Sequence, residues 1–425
     1  MPTDKMKRSP WLPFLLVSTL FLMWGIANNM NDTLLAAFKR IMSMSDLQTS
    51  LVQFAFYGAY FCFALPAALF IRRFSFKSGI LLGLALYACG TMLFYPASNL
   101  GSYGFFLFAI YIMASGCSVL ETTANPYILA MGPRETATRR LNIAQTFNPV
   151  GAIMGILLSR HFILSELNDA DAAARADMPA DALRAIQQEE LSAISGTYML
   201  IGCILVVLLI VIAMIKMPRL KDEGRQEGLG ATFRRLWRNR PYRNGVVAQF
   251  FYVGAQTCMW SFTIREVMHI TGERESEASM VFLYSIIAFS LFRFIFTWLM
   301  KYVRPSKLML VASAVAIVSV VTIVVSDSPV WIIPAIVTTS AAMSLMFPTI
   351  YGIALENVEP ESSKIAASGL IMAILGGALI TPVQAFVSDR MNISVSFVVP
   401  LVCFAVITAY CLYIIKRTSI GIRKE

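Results

Sequence analysis

Apolar runs of bilayer-spanning length recur along almost the whole chain. A helix needs about 20 mostly apolar residues to cross a hydrocarbon core about 30 Å thick. Twelve segments qualify, at 11–38, 47–70, 78–97, 102–131, 141–164, 192–215, 242–268, 275–300, 306–326, 329–354, 362–387 and 393–416. Inside hydrocarbon each backbone N–H and C=O must be satisfied by the protein itself, which helices of this length do unaided. The chain therefore reads as an all-α polytopic membrane protein with twelve transmembrane helices. Its 57% hydrophobic and 14% charged residues exclude an ordinary soluble domain, in which roughly a quarter of residues are charged.

The formal charge of +10 would raise nucleic acid as a partner in a soluble protein. Here the basic residues fall between the apolar runs, so the positive-inside rule accounts for them and no nucleic-acid partner is implied. Arg72, Arg73 and Lys77, then Arg134, Arg139 and Arg140, then Lys301, Arg304 and Lys307 occupy alternate connections. That alternation places both termini in the cytoplasm of a multi-pass inner (plasma) membrane protein. The connection 165–190 is acidic (Glu166, Asp169, Asp171, Asp177, Asp181, Glu189, Glu190) and reads as a solvated outer cap, partly helical. The connection 216–243 carries nine Lys or Arg and reads as cytoplasmic. Residues 1–10 are polar, and the first run is longer than a signal-peptide core, so it is expected to be an uncleaved span. The seven cysteines have no paired spacing and read as small core hydrophobes.

The basic central connection divides the chain into an N-terminal six-helix half, 1–215, a cytoplasmic loop, 216–241, and a C-terminal six-helix half, 242–425. A faint repeat supports two pseudo-symmetric halves: Pro126 precedes Ile143-Ala144, and Pro348 precedes Ile365-Ala366, at the same offsets. Parallel repeats of this kind are a common transporter architecture.

Polar residues at membrane depth are functional candidates by default. In the first span Asn28, Asn29 and Asp32 share a helical face, while Asn31 points elsewhere. In the fourth, Glu121 and Asn125 lie one turn apart, next to Pro126, which frees a backbone carbonyl. In the fifth, Asn142, Gln145 and Asn148 recur at spacing three. Amides with carboxylates suit a polyol, because each sugar hydroxyl both donates and accepts. A carboxyl desolvated in such a cavity can gain and lose a proton near neutral pH, which is the chemistry of proton coupling. Asp32, nearer the outer side, is assigned to proton exchange, and Glu121, near mid-membrane, to sugar binding linked to protonation. In the second half Gln256, Trp260, Tyr284, Tyr351 and Gln384 are candidates, with Trp260 either stacking on a sugar face or packing. Arg293 reads equally as a gate charge, a packing charge or a ligand contact. No GxxxxGK[ST] loop is present, so ATP is not the evident energy source. No cofactor or metal site is expected, and no nucleophile and base pair at membrane depth marks an enzyme. Gly151-Ala152 and Gly376-Gly377-Ala378 permit close helix approach.

The blocks Trp24-Gly25 with Asn28-Asn29-Met30-Asn31-Asp32, Phe56-Tyr57-Gly58-Ala59-Tyr60-Phe61, Leu120-Glu121-Thr122-Thr123-Ala124-Asn125-Pro126-Tyr127 and Leu141-Asn142-Ile143-Ala144-Gln145-Thr146-Phe147-Asn148 resemble the L-fucose/proton symporter family of the major facilitator superfamily. Tyr252-Val253-Gly254-Ala255-Gln256, Trp260-Ser261-Phe262 and Ser344-Leu345-Met346-Phe347-Pro348-Thr349 extend the resemblance through the second half. It implies alternating access around a central sugar site, with Asp32 and Glu121 as the protonatable acids and Asn29, Gln145 and Asn148 facing the sugar. It implies a monosaccharide and a proton as partners, L-fucose first, with galactose, glucose and related hexoses, and sodium coupling, in other members. Two departures stand out. Arg72-Arg73-Phe74-Ser75-Phe76-Lys77 lacks the Asp and Gly of the superfamily's usual Asp-Arg-x-Gly-Arg-Lys, and Phe292 and Phe296 stand where glycines are expected beside Arg293. A non-transporting sugar sensor and an efflux carrier for amphipathic compounds are the rival readings. The first would bind sugar without flux, and the second would need an apolar cavity.

Overall fold

The computed structural model describes residues 11–42, 44, 46–168, 175, 178–217 and 228–422; the side chains of Asp32 and Thr33 lie outside the described set, as do a few others within helices. The described chain is helical. In order, the helices are α1 (Trp11–Ile41), α2 (Asp46–Arg73), α3 (Phe76–Met92), α4 (Phe94–Leu100), α5 (Tyr103–Ala130), α6 (Ala137–Gln145), α7 (Phe147–Phe162) and α8 (Ala180–Met214). The central connection itself holds α9 (Leu229–Arg238), and then come α10 (Arg240–Thr271), α11 (Glu275–Leu299), α12 (Pro305–Val325), α13 (Pro329–Met343), α14 (Met346–Glu356), α15 (Ser363–Met372), α16 (Gly376–Arg390), α17 (Ile393–Ser396) and α18 (Val398–Ile422).

Among the described residues, 11 helical segments are long and apolar enough to cross a membrane, several of them made of two consecutive helices. The seventh expected segment is α10, a 32-residue helix whose Arg243, Asn244, Gln249 and Gln256 dilute its hydropathy. It nevertheless packs against α14, α16 and α18 inside the bundle.

Three of the broken spans share one local cause. Pro96, Pro149 and Pro348 each occupy the third position of the helix that follows the break, in α4, α7 and α14. Proline has no N–H to give to the carbonyl four residues earlier, so the ladder is interrupted and the preceding turn is left with a free acceptor. Elsewhere the ends are capped in ordinary ways. The Ser75 side chain accepts from the Ser78 N–H at the start of α3, which is what the departed loop motif provides. The Lys77 ammonium donates to the carbonyls of Ala213 and Ile215 at 2.7 and 2.8 Å, closing the C-terminus of α8. Gly101 and Gly272 take positive φ of 58° and 68° at helix C-caps.

Close helix approach depends on glycine at two comparable places. A Cβ at Gly151 would lie 2.0 Å from the Leu22 carbonyl oxygen, and one at Gly376 would lie 2.0 Å from that of Phe250. These contacts seat α7 on α1 and α16 on α10, and in both cases backbone meets backbone.

Two expectations need correction. Cys117, Cys258, Cys403 and Cys411 are buried, but Cys62, Cys89 and Cys203 are exposed on the bundle's exterior, a face where a small apolar side chain costs nothing against lipid. The acidic connection is also not wholly a solvated cap. Its last part forms the first turns of α8, and Arg175 and Glu190 are both buried as a bidentate pair, with Nη1 to Oε2 at 2.9 Å. Glu190 also accepts the Asn168 N–H at 2.9 Å. Positions 169–174 and 176–177 lie outside the described residues.

Candidate functional site

A cavity of about 580 Å³ opens between the helices before the central connection and those after it. From α1 come Trp24, Asn28 and Asn29; from α2, Gln53, Phe56, Tyr57 and Tyr60; and from α7, Asn148 and Ala152. From α10 come Gln256, Thr257, Trp260, Ser261 and Arg265, and from α11, Phe282, Ile286 and Phe289. Within each helix these positions recur every three or four residues, so a single face of each turns inward. The volume lies within the roughly 300–1,000 Å³ typical of small-ligand sites, and the mixture of aromatic walls with a few amides is usual for them.

The sequence-predicted residues separate into two layers. Asn29, Asn148, Gln256 and Trp260 are in the cavity wall. Asn29 Nδ2 back-bonds to the Gly25 carbonyl at 3.1 Å, and Asn148 Nδ2 reaches the Phe21 carbonyl at 3.5 Å. Trp260 meets Phe289 and Phe282 edge-on at 5.2 and 6.4 Å, while its Nε1 has no protein partner. It is thus both packed and presented to the cavity.

Glu121, Asn125 and Gln145 are not in the wall; they form a buried polar layer behind it. Gln145 Nε2 donates to Asn125 Oδ1 at 2.9 Å. Glu121 is 2% exposed, and neither carboxylate oxygen meets a protein donor. Its electrostatic neighbours are Tyr60, Cys117 and Tyr351. Tyr60 therefore connects the layers, since it lines the cavity, accepts from Trp24 Nε1 of the wall and is an electrostatic neighbour of Glu121. Asp32 sits on α1 one turn beyond Asn28, with its side chain outside the described set. Asn31, expected to point elsewhere, is buried and absent from the cavity wall.

Sequence reasoning missed Tyr60, Trp24, Gln53 and Thr257 as wall residues. The signal was present in Gln53, Phe56, Tyr57 and Tyr60, spaced as one helical face, but an aromatic stripe reads first as packing. Arg293 is now placed. It is 3% exposed, its guanidinium lies 4.9 Å over Phe289, and Nη1 donates to the Gln145 carbonyl at 3.3 Å. That carbonyl is the acceptor freed by Pro149. Phe292 and Phe296 meet with their rings tilted 53° and centroids 5.8 Å apart, with Phe292 on the exposed side of α11.

The cavity ends against a seal. Thr138 Oγ1 donates to Glu356 Oε1 at 2.5 Å, Asn142 Nδ2 to Thr349 Oγ1 at 3.3 Å, and Lys364 lies 5.0 Å over the Phe76 ring. Each of these contacts joins an early helix to a late one, at the end of the bundle where Arg72, Lys77 and Arg140 lie. The opposite end, with Gln53, Leu164 and Arg265, is the cavity mouth. Among the described residues no cluster of His, Cys, Asp and Glu is placed to hold a metal ion.

The sequence profile of the Major Facilitator Superfamily matches residues 14–374. The chain belongs to that superfamily. It is 40% identical over 414 residues to the L-fucose-proton symporter of Haemophilus influenzae, covering 94% of this chain and 95% of that protein. It is 32% identical over 404 residues to the glucose/galactose transporter of Brucella abortus, covering 93% and 92%. The crystal structure of the superfamily transporter FucP in the outward conformation matches with TM-score 0.89 and 35% identity, covering 96% of this chain and 99% of that one. The fold is thus that of a multi-pass membrane transporter, not of an enzyme, and the resemblance read from the motif blocks holds over nearly the whole chain.

Proposed function

We propose that the protein imports a monosaccharide by proton symport, L-fucose first and related hexoses next, through alternating access of two pseudo-symmetric six-helix halves. In this reading the halves are 1–215 and 242–425, joined by a cytoplasmic connection at 216–241. The sealed basic end, together with both termini, faces the cytoplasm of an inner membrane, so the cavity mouth faces outward. The observation that carries the proposal is the two-layer site: an amide and indole wall sized for a sugar, with an unpartnered buried carboxyl directly behind it.

Asn29, Asn148 and Gln256 supply donors and acceptors to the sugar hydroxyls, and Trp260, with Trp24 across the cavity, supplies flat apolar faces. Glu121 is the acid whose protonation is linked to sugar binding through Tyr60. Asn125 and Gln145 orient the layer between Glu121 and Arg293. Asp32 exchanges the proton with the outer side. A buried carboxylate without donors is costly, so occupancy by a proton is the inexpensive state of Glu121. Loss of that proton toward the cytoplasm then accompanies delivery of the sugar. The likeness to an L-fucose-proton symporter over 94% of the chain supports the same substrate and coupling ion.

The test is counterflow into proteoliposomes with a panel of labelled monosaccharides, repeated under an imposed proton gradient and then a sodium gradient. Accumulation of L-fucose or a hexose under the proton gradient alone is the expected result. Binding without flux would instead identify a sensor, and flux that follows only sodium would move the coupling to an oxygen-ligated cation near Asn28, Asn29 and Asp32.

A further inference from the structure

The ten-residue helix α9, in the last part of the central connection and just before α10, is not used by the site. Its sequence, Leu-Gly-Ala-Thr-Phe-Arg-Arg-Leu-Trp-Arg, buries Thr232 and Leu236 against the protein. Leu229, Phe233 and Trp237 are left 42%, 45% and 72% exposed. These three are four residues apart, so at 3.6 residues per turn they form an apolar stripe about 80° wide. Arg234 and Arg238 lie on the flank next to Trp237, and Arg240 follows at the first position of α10. All three are exposed, and none forms an ion pair among the described residues.

The rotation of α9 is fixed by contacts on its other side. Arg235 pairs with Glu359, and Asn239 Nδ2 donates to the Asn357 carbonyl at 2.6 Å. The stripe is therefore held away from the bundle. The level of the helix is fixed too, because α10 begins two residues after α9 ends. The hairpin of α10 and α11 brings Trp298 and Tyr302 back to the same end, 54% and 71% exposed, the depth at which aromatic belts sit. Val247, 45% exposed on α10, continues the apolar exterior into the lipid-facing surface.

We infer that α9 is an interfacial anchor that inserts Leu229, Phe233 and Trp237 at the boundary of headgroups and acyl chains, and holds anionic lipid phosphates with Arg234, Arg238 and Arg240. An apolar stripe flanked by exposed guanidinium groups, on a short helix at the end of a span, is complementary to an anionic leaflet. The arginine stems lie over apolar surface while their heads reach phosphate bidentately.

The test uses the full chain in nanodiscs of phosphatidylcholine with increasing phosphatidylglycerol. Quenching by lipid brominated near the headgroup is read as the difference between the wild type and Trp237→Phe, which isolates Trp237. That component is expected to be quenched, and more strongly as phosphatidylglycerol increases. The triple variant Arg234→Gln, Arg238→Gln, Arg240→Gln is expected to lose the phosphatidylglycerol dependence, with about a fivefold fall in apparent lipid affinity per arginine. The triple Arg→Lys variant is expected to keep most of the dependence, because charge is retained. These positions are exposed, so the bundle folds in each case. A Trp237 component that brominated lipid never quenches would show that another part of the chain, such as 218–227, covers the stripe, and would overturn the inference. An unchanged phosphatidylglycerol response in the Gln triple would overturn it as well.

Discussion

The seal at the basic end holds the cavity closed on one side, and its strength can be worked from the contact between Thr138 and Glu356. Thr138 Oγ1 donates to Glu356 Oε1 at 2.5 Å. A hydrogen bond to a charged acceptor is worth about 1.5–3 kcal/mol net. The Glu356 side chain is partly open to solvent, and water partly replaces the lost donor, so about 1–2 kcal/mol is the appropriate range. Thr138→Val keeps the shape of the side chain and removes only the hydroxyl. If the bond forms in the sealed state and breaks in the opposite one, the ratio of sealed to unsealed molecules should fall about five- to thirtyfold. Spin labels on the exposed positions Arg134 and Glu361 would report both populations as two distances. A double-mutant cycle with Glu356→Ala then isolates the pair. The expected coupling is about 1–2 kcal/mol, whereas additivity within about 0.5 kcal/mol would show that the contact does not hold the seal. Gly352→Ala provides an independent check in the same direction, because its Cβ would lie 2.6 Å from Thr138 Oγ1. The longer bond from Asn142 to Thr349 should contribute less.

Glycine substitutions should divide sharply by what a Cβ would meet: Gly151→Ala forces α7 off the Leu22 carbonyl and should cost about 1–3 kcal/mol, whereas Gly58→Ala meets nothing within 4 Å and should leave the melting temperature unchanged or slightly raised. Gln256→Ala should weaken sugar binding about three- to tenfold, as expected for one hydrogen bond, with Trp260→Phe milder than Trp260→Ala in the same titration. Glu121→Gln imitates the protonated acid, so sugar exchange should persist as pH rises through the range where the wild type loses it. An unchanged pH profile of coupled uptake would remove Glu121 from the coupling scheme. Asp32→Asn should abolish accumulation against a gradient while leaving binding or exchange detectable, and complete loss of binding would refute its assignment to proton exchange.

How much was legible in advance follows from which physical signal each feature leaves. Spans were readable because apolarity over about 20 residues is a demand of the solvent and not of tertiary packing. The extent of α8 was not, since its first turns, from Ala180 onward, are polar and are stabilised partly by the buried Arg175 and Glu190 pair. The cavity amides were legible as polar groups on one helical face. Their division into a wall and a layer behind it was not, because periodicity gives the direction in which a side chain projects but not how far the neighbouring helix stands from it. Tyr60 depends on that distance: it lines the cavity and is also an electrostatic neighbour of Glu121, and no pattern within α2 distinguishes that from ordinary packing.

Arg293 shows most directly how a local rule becomes a long-range contact. A guanidinium buried in a bundle needs acceptors that the regular helices around it cannot offer, since their carbonyls are already engaged. Pro149 provides one by failing to donate to the Gln145 carbonyl, and Arg293 Nη1 takes it at 3.3 Å from α11, which packs directly on α6. The same residue, Gln145, holds Asn125 through its side chain at 2.9 Å. One proline in α7 therefore ties α11 of the late helices to the polar layer of the early ones. Replacing Pro149 with Ala would restore the N–H and let the helix recapture the carbonyl. Arg293 would then lose its acceptor with no change to its own surroundings. If the bond orients the layer, Pro149→Ala should alter sugar affinity in the same direction as Arg293→Met, and the two effects should not add. Full additivity in that cycle would mean that the proline only shapes the helix and that Arg293 acts through Phe289 alone.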